Sequence, residues 1–132
     1  MSQPRELLFD TTALVDIYRG RMEIKPLFDA VAAGELLPYI SVITEAELWR
    51  GVRLEEIELH EALLSHFTPI PLQSEMARLA KAWMQRYAAT GLGWMDALIA
   101  ASGKVAGLPL LTRDSRLARV LSVEVEFELY AL

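Results

Sequence analysis

The chain has 132 residues, of which 53% are hydrophobic and 23% are charged, so the composition excludes a disordered protein. That length fits one domain, which we predict to span residues 1–132. A net charge of −5 argues against a protein that coats nucleic acid through a basic surface, although an enzyme with segregated charge remains possible.

The composition also restricts the chemistry and the compartment. The chain contains no cysteine, which excludes disulfides, thiolate metal sites and cysteine nucleophiles. No apolar stretch approaches the roughly 20 residues that a membrane-spanning helix needs, and the opening sequence MSQPRELLFD has no long apolar segment typical of a secretory signal. We therefore expect a cytoplasmic protein that does not bind membranes. A mean hydropathy of +0.25 indicates a large core, or an apolar surface that a partner covers.

Short apolar runs alternate along the chain with helical patterns. In chain order, the pattern predicts strand 7–9, helix 12–20, helix 26–33, strand 36–41, helix 44–52, helix 55–67, extended segment 67–72, helix 74–91, helix 96–107, strand 108–112, helix 114–121 and strand 123–129. The strand 108–112 shows no alternation, as is typical of a sheet that is covered on both faces. The succession predicts an α/β fold around a mainly parallel sheet.

Four acidic residues occur where strands end or helices begin, and such places converge at one edge of a parallel sheet. They are Asp10, Glu47, Asp96 and Asp114.

Each acid also has a purely structural explanation. Asp10 is a possible cap for the helix that follows it. Thr44 and Glu47 match the T-x-x-E capping box, and Glu47 is also spaced to pair with Arg50. Asp96 and Asp114 both suit helix N-termini, where the helix dipole favours negative charge.

Asp96 is the hardest of the four to explain structurally. The next five residues, 97–101, are all apolar, and no basic residue follows before Lys104. A buried carboxylate without a partner is costly, and a bound cation would remove that cost.

Four segments together resemble a known family. They are LLFDTTALVD, ISVITEAELWRG, GWMDALIAASG and LPLLTRDS, which run in order from residue 7 to about residue 115. In sequence and spacing they resemble the PIN-domain nucleases, and among these the VapC-type toxins of toxin–antitoxin pairs. The chain departs from the usual family pattern at residues 102–103 and 116–117, and neither departure touches the acids.

The resemblance implies a three-layer α/β/α PIN-like fold and a metal-dependent endoribonuclease. It implies that Asp10, Glu47, Asp96 and Asp114 form the family's acidic cluster. It further implies that the hydroxyls of Thr11 and Thr112 hold the orientation of the carboxylates that bind the metal. The implied partners are RNA, an antitoxin protein lying across the site and a second copy of the chain in a homodimer.

An all-oxygen ligand set favours Mg²⁺ or Mn²⁺ over Zn²⁺. We expect Asp10 and Asp96 to be the principal metal ligands, with Glu47 and Asp114 completing the cluster. The two histidines, His60 and His66, form no zinc spacing, and we expect both on the surface.

Basic residues close to the acids in sequence are candidate contacts to RNA phosphates. The candidates are Arg50, Arg53, Arg113 and Arg116, with Arg119 continuing the last series. The alternative is an ordinary solvated helix face on which these side chains pair with nearby glutamates.

Two other functional classes remain open at this point. A strand followed by an aspartate also begins the α/β phosphohydrolases, in which Asp10 would be a covalent nucleophile. Those enzymes have a second acid two positions later, where this chain has Thr12. The third class is a non-catalytic PIN-like module that only binds RNA or protein.

Overall fold

The computed structural model describes residues 3–131, so the ends of the predicted domain, residues 1–2 and 132, lie outside the described part. The strands are β1 (Arg5–Phe9), β2 (Leu36–Ser41), β3 (Thr68–Ile70), β4 (Leu110–Thr112) and β5 (Phe127–Leu129). The helices are α1 (Thr11–Tyr18), α2 (Lys25–Ala32), α3 (Val42–Arg50), α4 (Ile57–Leu64), α5 (Ser74–Arg86), α6 (Trp94–Ala106) and α7 (Ser115–Val120). Single 3-10 turns precede α4 and follow α5.

The five strands form one parallel sheet in the order β3-β2-β1-β4-β5. The chain builds outward from β1 through β2 and β3, then returns to the other side of β1 with β4 and β5. The strand order therefore reverses between β1 and β4, and in such sheets ligands bind beyond the carboxyl ends of the strands at this reversal. Asp10 directly follows β1, and residues 113–114 directly follow β4.

Both faces of the sheet are covered because neighbouring residues of each central strand point to opposite sides. Leu8 and Leu110 face one apolar core, which α5 and α6 complete with residues such as Trp83. Leu7 and Leu111 face the other core, which includes residues of α1, α2 and α3. This arrangement of a sheet between two helical layers confirms the predicted three-layer α/β/α fold.

The structure corrects three local predictions. The last strand is shorter than residues 123–129, because a turn after α7 occupies residues 121–124. The alternation of residues 123–129 predicts a solvated strand face for Glu124. Within the turn, however, Glu124 is half-buried and accepts a hydrogen bond of 2.7 Å from the Tyr87 hydroxyl. Helix α3 begins at Val42 rather than at Thr44, because Ser41 caps it by accepting a hydrogen bond of 3.1 Å from the Ile43 amide.

The prediction for His60 was also wrong. His60 is 1% exposed, whereas His66 lies on the surface as expected. The His60 ring packs edge-on against Trp49, with ring centroids 4.2 Å apart, and its Nδ1 bonds the Tyr18 hydroxyl. Burial of the ring lowers the pKa of His60. Within the described residues, its Nε2 is a buried polar atom without a hydrogen-bond partner.

No helix among residues 3–131 combines the length and the apolar character needed to cross a membrane.

Candidate active site

Asp10 lies at the carboxyl end of β1 and is only 3% exposed. Its Oδ2 accepts hydrogen bonds from the hydroxyls of Thr112, at 2.7 Å, and Thr12, at 3.1 Å. Burial raises the pKa of Asp10 above its usual value even though these hydrogen bonds oppose the shift. Asp10 occupies the N-cap position of α1 but its side chain makes no cap hydrogen bond, so helix capping does not explain this acid.

Glu47 lies in α3 and is held by the first residue of α1. The Thr11 hydroxyl donates a hydrogen bond of 2.8 Å to Glu47 Oε1, and it also lies 3.0 Å from the Thr44 hydroxyl. Because α3 begins at Val42, Thr44 and Glu47 lie inside the helix and the capping-box interpretation is wrong. Among the described residues Glu47 forms no ion pair with Arg50.

Asp114 has a structural role that can be seen directly. Its Oδ1 accepts a hydrogen bond of 3.0 Å from the Leu117 amide, so it caps α7 as one of the two interpretations predicted. The Asp114 amide in turn donates a hydrogen bond of 3.0 Å to the Thr112 hydroxyl. The Thr112 hydroxyl thus links the backbone of one acid to the carboxylate of another.

Asp96 lies in the first turn of α6 and is half-buried. Burial, followed by the negative charges of Asp10, Asp114 and Glu47, raises its pKa to about 6, and only Arg116 acts in the opposite direction. A small depression between the start of α6 and α7 is lined by Asp96, Asp114 and Arg116. The carboxyl of Asp96 is therefore close enough to the other three predicted acids for their charges to raise its pKa.

The predicted basic contacts are not equivalent. Arg116 is exposed beside Asp96, and its guanidinium reaches the Gly91 carbonyl at 3.4 Å. Arg50 and Arg53 are exposed at and beyond the end of α3. Arg113 instead forms an ion pair with Asp16, in which Nε and Oδ2 lie 2.7 Å apart. The guanidinium of Arg113 is therefore already bound to a carboxylate of its own chain.

A family model for the PIN domain matches residues 7–121. The chain belongs to the PIN-domain family. It is similar to a toxin–antitoxin complex from Klebsiella pneumoniae, with 31% identity and a TM-score of 0.72 over 85% of this chain and 89% of that one. It is also similar to FitAcB from Neisseria gonorrhoeae, with 25% identity and a TM-score of 0.73 over 92% and 95% of the two chains.

A third solved structure, VapBC2 from Rickettsia felis bound to a promoter DNA fragment, shares the fold at 19% identity, with a TM-score of 0.77 over 95% and 98% of the chains. Among curated proteins, no sequence match to this chain was found.

PIN domains generally use divalent metal ions. The donor set of this PIN domain fits such an ion, because all four candidate ligands are carboxylates, and burial together with the charges of the other three acids raises the pKa of Asp96. Among residues 3–131, however, no three acidic or histidine side chains converge closely enough to form a preassembled metal cage. The carboxylates of this PIN domain interact through space without meeting at one point.

Two polar residues next to the acids, Thr12 and Asp16, were not predicted from the sequence. Thr12 donates a hydrogen bond to Asp10, and it lies 3.3 Å from the Thr112 hydroxyl. Asp16 is completely buried in α1, where it binds Arg113. A signal for Asp16 was present, because an acid between apolar residues of an amphipathic helix needs a partner when it is buried.

Proposed function

We propose that this PIN domain is the toxin of a type II toxin–antitoxin pair and acts as a VapC-type, divalent-metal-dependent endoribonuclease. The observation that carries the proposal is the set of four carboxylates at the strand reversal, where burial and then the charges of Asp10, Asp114 and Glu47 raise the pKa of Asp96 to about 6. A group of acids that destabilise one another's charge is expected where a cation is to be bound. The similarity to the Klebsiella toxin–antitoxin complex supports the biological context.

In this proposal Asp10 and Asp96 are the principal ligands of Mg²⁺ or Mn²⁺, and Glu47 and Asp114 complete the ligand set. When bound, the metal activates a water molecule and neutralises charge on the phosphodiester that is hydrolysed. The threonine hydroxyls orient the acids. Thr112 holds Oδ2 of Asp10, while Thr11 holds Oε1 of Glu47.

The rest of the surface supplies the contacts to RNA and to proteins. Arg116 lies beside Asp96, where a guanidinium can bind the phosphate next to the cleaved bond. Arg50 and Arg53 are exposed and extend the candidate RNA path along α3. We further propose that a cognate antitoxin covers the site, that the protein is a cytoplasmic homodimer and that residues 1–132 form a single domain.

The phosphohydrolase alternative is less consistent with the environment of Asp10. A carboxylate that attacks phosphorus must reach its substrate, yet Asp10 is 3% exposed and accepts two hydroxyl hydrogen bonds. The residue two positions later is Thr12, which donates to Asp10 rather than serving as a second acid. A trapped phospho-enzyme that maps to Asp10 would favour this alternative despite the geometry.

The decisive experiment is cleavage of total RNA by the purified chain, freed of any antitoxin, with EDTA, Mg²⁺ and Mn²⁺ compared. We expect discrete fragments only with metal, and losses on the order of 100-fold or more in Asp10→Asn and Asp96→Asn. Asp29→Asn is the matched control, because Asp29 is an exposed acid of α2 that pairs with Lys25.

Three outcomes would contradict the proposal. Equal cleavage by wild type and both variants would point to a contaminating ribonuclease or to a different site. A folded, monodisperse wild type that binds Mn²⁺ but leaves RNA intact would shift weight to the phosphohydrolase, and one that binds no divalent metal would favour the non-catalytic module.

A further inference from the structure

A buried ionic cluster lies next to the carboxylates and is not part of their donor set. Asp16 is 0% exposed, and both of its oxygens are bound by one guanidinium. Arg113 Nε lies 2.7 Å from Oδ2, and Arg113 Nη2 lies 3.2 Å from Oδ1. The Tyr130 hydroxyl donates a further hydrogen bond of 2.6 Å to Oδ2. We call these three residues the Asp16 clamp.

The charges of the clamp are well compensated. Burial alone would raise the pKa of Asp16, but hydrogen bonds from Arg113 and Tyr130 and the charges of Arg113 and Arg21 outweigh it and lower the pKa. Asp16 is therefore ionised at neutral pH. A buried ion pair with two parallel hydrogen bonds has a defined geometry, and removal of either partner leaves an uncompensated charge.

The clamp is connected to the site through the backbone of the turn between β4 and α7. Arg113 is the residue between Thr112 and Asp114, and its amide donates a hydrogen bond of 3.3 Å to the Thr12 hydroxyl. On the other side, the Tyr130 amide bonds the Thr112 carbonyl at 3.3 Å. The clamp thus joins α1, the turn after β4 and the segment after β5 around the residues that hold Asp10.

We propose that the Asp16 clamp is a positioning device for the nuclease proposed above: it fixes the turn at residues 112–114 against α1, so that Thr112 and Asp114 stay aligned with Asp10. Arg113 is then a positioning residue rather than a contact to RNA phosphate. Its guanidinium binds a buried carboxylate and is only one-third exposed, whereas Arg116 at the start of α7 is exposed.

The inference makes metal affinity depend on residues that would not touch the metal. Replacing a residue that hydrogen-bonds a metal ligand typically lowers metal affinity or activity by about 10- to 100-fold. Arg113→Lys keeps the charge but loses the two-pronged geometry, and Tyr130→Phe removes one hydroxyl without changing any charge. Asp16→Asn keeps the shape and removes the charge.

The test measures Mn²⁺ affinity by titration calorimetry and, separately, kcat, KM and the salt dependence of KM for RNA cleavage. We expect Arg113→Lys and Asp16→Asn to weaken Mn²⁺ binding and lower kcat by about 10-fold or more, with KM and its salt dependence unchanged. The double variant should be no worse than the single ones, because both break the same interaction. Asp29→Asn, which breaks the exposed pair with Lys25, should change neither quantity.

Two results would overturn the clamp. One is wild-type Mn²⁺ affinity and kcat in folded Arg113→Lys and Tyr130→Phe. The other is a raised KM with a weaker salt dependence in Arg113→Lys, as expected for a lost phosphate contact. If Asp16→Asn fails to fold, Arg113→Lys and Tyr130→Phe still test the proposed role of the clamp.

The clamp and the nuclease fail in different ways. If wild type binds Mn²⁺ without cleaving RNA, the proposed nuclease activity is wrong. The Mn²⁺ affinities of wild type and the variants then still test the proposed role of the Asp16 clamp. A wild type that binds no Mn²⁺ overturns both.

Discussion

Replacing Asp96 with asparagine should stabilise the metal-free protein at neutral pH while it destroys the proposed activity. The pKa of this carboxyl is raised from 3.8 to about 6. At 1.36 kcal/mol per unit the shift corresponds to ~3 kcal/mol for a fully buried group. Because Asp96 is half-buried, screening by solvent reduces this penalty, and we expect a gain of ~1–2 kcal/mol in unfolding free energy.

The sign of the pH dependence follows from proton binding. Between the unfolded value of 3.8 and the folded value of about 6, the folded chain retains a proton on Asp96 that the unfolded chain has released. The contribution of Asp96 to wild-type stability therefore falls as pH rises through this window. The advantage of Asp96→Asn should be small near the lower value and complete above the upper one.

The assay is thermal unfolding in EDTA across that pH range, where the expected gain raises the melting temperature by ~3–8 °C at neutral pH. Glu75→Gln is the matched control, because Glu75 is an exposed acid in the first turn of α5. Added Mn²⁺ should make wild type more stable than Asp96→Asn, since only wild type retains the Asp96 carboxylate as a metal ligand. An increase in melting temperature that is equal at both ends of the pH range, or a decrease at neutral pH in EDTA, would show that the pKa of Asp96 is not raised in the folded protein.

Three further predictions concern single side chains. Thr112→Val should lower the unfolding free energy by ~1–3 kcal/mol in denaturant titrations, because it leaves buried Asp10 short of a donor; Thr112→Ser should restore most of the loss, and an unchanged midpoint would contradict this role. Burial lowers the pKa of His60 from 6.5, so wild type should lose stability as pH falls below that value while His60→Phe shows a smaller loss; parallel pH profiles would argue against a buried neutral ring. Ser41→Ala should cost ~1 kcal/mol in the same titrations because Ser41 caps α3, whereas Ser74→Ala, at a helix start without a side-chain cap bond, should cost less.

The order of the elements could be predicted because its signals are local. Short apolar runs such as residues 36–41 mark strands, and the structure places β2 at these residues. A glycine in the left-handed region ends α6 at residue 107. Alternating strands and helices then require crossover connections, which restrict the sheet to a parallel arrangement. The fold class follows from these patterns without knowledge of any long-range contact.

The candidate acids were also visible in the sequence, since each follows a predicted strand or lies in the first turn of a predicted helix. The sequence did not show which of these acids also caps a helix. The structure shows that Asp114 caps α7 and that Thr44 caps nothing. The N-cap of α3 is Ser41, three residues before the Thr44 that the T-x-x-E motif predicts, and this removes the capping-box explanation for Glu47.

The sequence by itself determined the α/β order and identified four acids near predicted strand ends and helix starts, because both depend on neighbours in the chain. Only the tertiary structure decided the partners of Asp16, which lies 97 residues from Arg113 and 114 residues from Tyr130. It likewise buried His60, which a polar helix sequence had assigned to the surface. A polar side chain reveals its own need for a partner, but the residue that meets this need is chosen by packing between elements that are distant in sequence.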